Sequence, residues 1–216
     1  MTAIQTFKQA RAKFETPEKA QFIDSFWAAM IKGRHRRKFP DCKAAFLVGS
    51  GGDIPKLRQL GFQDPNMLAI ERNKSLLRGA LRYHKSQRIK RYLGDFSEAM
   101  HTLDSPLDYI AIDSCGMLAA PLFDMAESVM LSNALKPGTR VGFNFLKGRD
   151  AIVKEARNHW PDLGPNEIRR KILTNGLNYM ADTLEIPYSF DNIGNGEYKN
   201  DKGVVYLWNI YQIENR

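Results

Sequence analysis

The chain has 216 residues, 43% of them hydrophobic and 26% charged, which suits one large domain or a domain with an arm and permits a substantial core without staples. It has no low-complexity tract, internal repeat or apolar stretch of membrane-spanning length, and Met1 to Phe14 lack the apolar core of a signal peptide, so a cytoplasmic protein with no membrane contact is expected. Cys42 and Cys115 form no metal or redox pair motif, and the net charge of +8, clustered at 34–38, 82–91 and 169–171, points to anionic partners, nucleic acid among them, or to solvated helix faces.

In chain order, 17–32 reads as an amphipathic helix. Thr16 caps it, Pro17 takes its first position, and Phe22, Ile23, Phe26, Trp27, Met30 and Ile31 recur at helical spacing. Gly33 ends it. Residues 1–40 are thus expected to form a helical arm packed on a domain spanning 41–216. The first strand, 44–48, breaks into Gly49-Ser50-Gly51-Gly52-Asp53, and a helix at 54–60 stops at Gly61. A second strand, 67–70, ends on Glu71 and precedes a helix at 74–83. A third, short strand stops at Gly94-Asp95-Phe96 before a helix at 96–103. The fourth, 108–112, ends on Asp113; an apolar helix at 118–135 and a fifth strand at 140–146 follow.

Strands alternating with helices over short connections imply right-handed crossovers and a mostly parallel sheet. Helices at 151–160 and 167–184 then lead to a hairpin of 188–192 and 204–213. Its connection is rich in glycine and asparagine, and Asn192, Asn195 and Tyr198 read there as turn residues. The expected fold class is α/β: a mostly parallel sheet, helices on both faces and a C-terminal antiparallel β-hairpin. Four successive strands deliver a glycine or an acid at their carboxyl ends, the edge where open α/β sheets bind ligands.

From Ala44 to Ile213 these residues resemble the class I S-adenosylmethionine-dependent methyltransferases, with their Rossmann-like fold. The resemblance implies that Gly49, Ser50, Gly51 and Gly52 wrap the methionine moiety of S-adenosylmethionine, where glycine permits close approach and positive φ. It implies that Glu71, with Arg72 beside it, holds the ribose, since a carboxylate accepts from both hydroxyls of a vicinal diol. Asp95 and Phe96 are assigned to the adenine, and Asp113 to the amino-acid end of the cofactor or the transferred methyl group. The family's acid before the first glycines is missing, and Asp53, which replaces the third glycine, is expected to take over the acidic role. A nicotinamide dinucleotide site is the competing reading, because Glu71 lies 20 residues after Gly51. A GxGxxG beginning at Gly49 would need glycine or alanine at 54, where Ile54 stands.

The sequence Asp113-Ser114-Cys115-Gly116 lacks the Asp/Asn-Pro-Pro-aromatic motif of base-amine methylases, and no proline precedes Cys115 as in cytosine-C5 enzymes. Cys115 reads as a small buried residue at a helix start. Candidate bases are Asp113, His84, His101 and His159, of which Asp113 is the expected catalytic residue; Asn144 and Arg149 are expected to contact the acceptor. The function implied is methyl transfer to oxygen or nitrogen of a small-molecule or RNA acceptor, the alternative being an inactive protein of the same fold that binds nucleic acid or a protein through its basic face. No metal is implied.

Overall fold

The computed structural model describes residues 2–14, 16–49, 51–147, 151–200 and 202–216. Strands β1 (Ala44–Leu47), β2 (Met67–Glu71), β3 (Lys90–Leu93), β4 (Tyr109–Met117), β5 (Arg140–Leu146), β6 (Tyr188–Lys199) and β7 (Val205–Asn215) form one sheet. Their order is β3-β2-β1-β4-β5-β7-β6. The first five run parallel, and β7 lies antiparallel between β5 and β6. Strand order therefore reverses between β1 and β4, which opens a crevice at their carboxyl ends.

Both faces of the sheet are covered, as the continuous apolar strands require. Ala44, Phe46, Tyr109 and Ala111 share one core cluster with side chains of α2 (Pro17–Ile31), α3 (Asp53–Leu60) and α4 (Lys74–Tyr83). The alternate residues Ala45, Ile110, Ile112 and Phe143 share the other with α5 (Phe96–His101), α6 (Ala120–Met130) and α8 (Pro165–Thr183). A short α7 (Ala151–Ala156) precedes α8. No helix among the described residues is long and apolar enough to cross a membrane.

Helix α2 follows its sequence signals closely. The Thr16 hydroxyl accepts from the Lys19 N–H at 3.3 Å, and Phe22, Ile23, Phe26, Trp27 and Met30 are buried. Phe26 and Met30 lie on Gly142 of β5, where a Cβ would stand 3.0 Å from the Met30 sulfur. Buried Arg140 donates to the Met30 and Lys32 carbonyls at 2.8 and 2.7 Å, satisfying acceptors at the helix end.

Several elements differ from expectation. Helix α1 (Ala3–Phe14) is additional. The Thr2 hydroxyl accepts from the Gln5 N–H and the Gln5 side chain accepts from the Thr2 N–H, a reciprocal cap, and Ile4 and Phe7 follow at helical spacing. Helix α6 stops at Met130 rather than 135, because the Ser132 hydroxyl bonds the Val129 carbonyl and the Ala134 N–H and so competes with the helix. Helix α7 ends at Ala156 rather than 160. Strand β4 continues through Cys115 to Met117 with a register break after Asp113, so Cys115 lies on a strand and not at a helix start.

The glycine-rich connection is mostly strand. Strand β6 runs to Lys199, with a bulge between Asn192 and Gly194, and β7 resumes at Val205. Gly196 pairs with Trp208, whose indole Nε1 would lie 2.9 Å from a Cβ there, so the ring fills the place of the missing side chain.

Candidate active site

The carboxyl ends of β1, β2 and β4, with the loop after β3 and the start of α6, enclose a cavity of about 470 Å³, within the usual range for small-ligand sites. Its wall holds Leu47, Gly49, Glu71, Arg72, Gly94, Phe96 and Asp113, with Ala119, Pro121, Leu122 and Met125 opposite. Gly49 has φ +45°, a conformation that favours glycine, and a Cβ there would meet nothing within 4 Å. The Glu71 carboxylate accepts from the Asn73 N–H at 2.9 Å, while the Asn73 side chain caps α4. This loop holds Glu71 at the rim with further acceptor capacity. Phe96 is buried and contributes the apolar part of the wall. A second cavity, about 240 Å³, lies at the opposite edge between Arg34, Lys38, Cys42, Asp108 and Gly138. That edge is not where such sheets place ligands.

Of the other expected cofactor residues, Gly51, Gly52, Asp53 and Asp95 stand off the wall. Gly51 has φ +76°, and a Cβ on it would lie 2.9 Å from the Phe7 ring and 3.2 Å from His84 Nε2. The space it leaves open is thus taken by α1 rather than by a ligand. Gly52 is buried at the start of α3. Asp53 accepts from Trp27 Nε1 at 2.7 Å. Asp95 pairs with Arg72, and its backbone N–H donates to Glu98 at 3.2 Å, capping α5.

At the end of β4, Asp113 accepts from the Asn144 amide at 2.6 Å and pairs with Lys19 of α2. The Lys19 ammonium lies 4.6 Å from the Phe22 ring centre and 5.8 Å from that of Tyr198. Tyr198 stacks on Phe22 at 4.4 Å and on Tyr206 at 4.7 Å. Tyr198 is therefore a strand residue built into this cluster, not a turn residue. A carboxylate, an ammonium and an amide set in an aromatic frame make an oriented polar corner beside the cavity, suited to positioning a reactant.

Among solved structures, the chain is similar to N-methyltransferase NodS from Bradyrhizobium japonicum WM9 in complex with S-adenosyl-L-homocysteine. The TM-score is 0.58 and the identity 13%, over 98% of each chain. It is also similar to the PH0226 protein from Pyrococcus horikoshii OT3 (TM-score 0.53, 18% identity, 91% of this chain and 92% of that one). A third is TYW2 from P. horikoshii in complex with MeSAdo (TM-score 0.55, 11% identity, 89% of this chain and 62% of that one). No protein-family model and no curated protein matches the chain.

The chain has the class I S-adenosylmethionine-dependent methyltransferase fold.

In this methyltransferase fold, Lys19, Tyr198 and the α6 side of the cavity are the parts that sequence reading did not find. The α6 side had a signal, since the loop after β4 must open on the same edge as Asp113; Lys19 and Tyr198 had none. Of the candidate bases, His84 is packed behind Gly51, and burial, with Arg11 and Arg58 nearby, pushes its pKa down to about 4. His101 and His159 are exposed and off the cavity wall. Ser50, Arg149 and the Cys115 side chain lie outside the described residues.

Asp53 carries a pH prediction. Burial pushes its carboxyl up to about 6, against the bond from Trp27, and nearby Asp113 adds to the rise. A folded-state value above the unfolded one means that the folded chain binds more protons between about pH 4 and 6, so this group costs stability as pH rises through that window. Asp53→Asn keeps an acceptor for Trp27 and cannot ionise. Urea denaturation should show it about 2 kcal/mol more stable than wild type near pH 7.5 and no more stable near pH 4. An equal difference at both pH values would show that Asp53 does not titrate in this window.

Proposed function

We propose that the chain is an S-adenosylmethionine-dependent methyltransferase acting on oxygen or nitrogen of an RNA or small-molecule acceptor. One observation carries this reading: a single cavity at the switch point of a methyltransferase fold gathers Gly49, Glu71, Arg72, Phe96 and Asp113. The residues fit the cofactor. Glu71 has acceptor capacity for a ribose diol, Phe96 offers an apolar face to adenine, and Gly49 leaves open space beside the loop. Asp95 serves the adenine end from its place beside Arg72, and Gly51, Gly52 and Asp53 shape the loop. In this reading residues 1–40 are an arm on a cofactor domain of 41–216.

When bound, S-adenosylmethionine supplies a sulfonium methyl group that is already electrophilic, so the chain's task is alignment and exclusion of water. Asn144 and Lys19 fix the Asp113 carboxylate, which orients the reacting end and takes a proton from acceptors that must lose one. Lys19 and Tyr198 form the acceptor side, buried Asn144 acts on it only through Asp113, and Arg149 is assigned to it from the sequence after β5 alone. None of His84, His101 and His159 lies on the cavity wall, so Asp113 is the catalytic residue of this account.

Transfer of radiolabelled methyl from S-adenosylmethionine to pooled RNA, and separately to small amines and hydroxyl compounds, tests the reading. Asp113→Asn should lose about a hundredfold or more in rate, the scale of general-base and positioning effects. Transfer by this variant at the wild-type rate would remove Asp113 from the reaction. No transfer to any acceptor by a protein that binds the cofactor would contradict methyl transfer itself.

A further inference from the structure

The excess of basic over acidic residues is concentrated in one segment of the sequence. Residues 72–91 contain eight Lys and Arg and no Asp or Glu; of the 32 Lys and Arg in all, 24 remain elsewhere, matched by 24 Asp and Glu. This segment is α4, β3 and their connection. Of its eight cations, Arg72 pairs with Asp95, and among the described residues no carboxylate pairs with the other seven, all of them exposed. In the other basic clusters, several described cations are engaged within the chain. Arg169 is buried, Arg170 donates to the Gly196 carbonyl at 3.2 Å, and Arg34 to the Gly138 carbonyl at 2.6 Å.

Helix α1 extends the same face. Gly79 of α4, lacking a Cβ, admits Ala3 and Phe7 of α1 against it. Residues 3–14 contain three Lys and Arg and no acid. The Arg11 guanidinium lies 4.6 Å from the centre of the Tyr83 ring, which is 41% exposed. A flat aromatic and guanidinium pair thus sits among the cations.

We infer that the face formed by α1, α4 and β3 binds a single-stranded polynucleotide, its phosphates on the exposed cations and an unstacked base on Tyr83. Acid-free charge attracts a polyanion by counterion release, and an exposed ring stacks on bases only where the strand is single. A lipid surface fits less well: Phe7, Leu77, Ala80 and Leu81 all point inward, whereas a membrane-lying helix turns its apolar side outward. This face lies beside the cofactor cavity, joined to it at the Arg72 rim, and its binding goes beyond methyl transfer.

Fluorescence anisotropy with labelled uridylate and thymidylate 20-mers, a duplex of equal length and phosphatidylserine vesicles tests the inference. Full-length protein should bind a single strand, with affinity falling roughly a few hundredfold between 50 and 200 mM salt if six phosphates are engaged. The quadruple variant Arg78→Gln, Arg82→Gln, Arg88→Gln, Arg91→Gln, all at exposed positions, should lower the salt slope by about 3. Tyr83→Leu, which keeps the packing on Phe7, should weaken single-strand binding about tenfold and leave duplex binding unchanged. A wild-type slope near zero, a quadruple variant that is folded and binds like wild type, equal Tyr83→Leu effects on strand and duplex, or binding to vesicles alone would each overturn it. Calorimetry with S-adenosylmethionine on the same variants separates the two readings, since the cofactor site contains none of the replaced residues.

Discussion

Replacing Glu71 with alanine should weaken S-adenosylmethionine binding by about a hundredfold or more. A ribose diol donates to the carboxylate twice, and a hydrogen bond to a charged group contributes roughly 1.5–3 kcal/mol; a hundredfold is about 2.7 kcal/mol. Within the chain Glu71 accepts from the Asn73 N–H at the start of α4 and sits partly exposed on the cavity rim. Loss of that bond should soften the loop without unfolding the domain, and thermal melting will verify this. Equilibrium dialysis with radiolabelled cofactor gives the comparison. Unchanged affinity would place the ribose away from the end of β2 and remove the chief support for this cavity as the cofactor site.

Phe7→Ala should strongly destabilise the packing of α1 on the domain. The ring is fully buried, packs against Tyr83 and His84 at 5.6 and 6.1 Å between centroids, and fills the space in front of Gly51. Truncating such a phenylalanine costs about 3–5 kcal/mol. Much of that loss should appear as release of α1, since Phe7 is its one buried side chain among the described residues, and amide exchange over 3–14 should accelerate. The His84 pKa should rise from about 4 toward its ordinary 6.5, because burial under α1 is the largest cause of its depression. An NMR titration in which His84 stays near 4 would show that α1 does not bury it.

The succession of parallel strands along the chain was legible because the first four are short apolar runs closed by a glycine or an acid. Strand β5 matches the expected 140–146, and α2 ends within one residue of its expected limit, since Thr16-Pro17 and Gly33 are strong local signals. Where partners supply what the local sequence lacks, the reading fell short. Gly194 and Gly196 have poor strand propensity, and β6 persists through them because β7 pairs along its length and Trp208 covers Gly196. Helix α1 carries a thin apolar stripe and gains its burial from α4.

The site divides in the same way. Gly49, Glu71, Phe96 and Asp113 were legible because a parallel sheet must bring strand ends to one edge. Lys19 and Asp113 are 94 residues apart and meet only because α2 crosses the sheet beside β5 and β7. The engagement of Asp53 with Trp27, instead of the cavity, depends on that same packing. Spacing along the chain contains no record of it.

Calorimetric titration of the full-length protein with S-adenosylmethionine, and separately with NAD, tests the central claim most directly. The account predicts saturable binding of S-adenosylmethionine with a dissociation constant in the micromolar range and no detectable heat from NAD. Binding of NAD alone, or of neither, would contradict the assignment of the cavity between Gly49, Glu71, Phe96 and Asp113 to this cofactor.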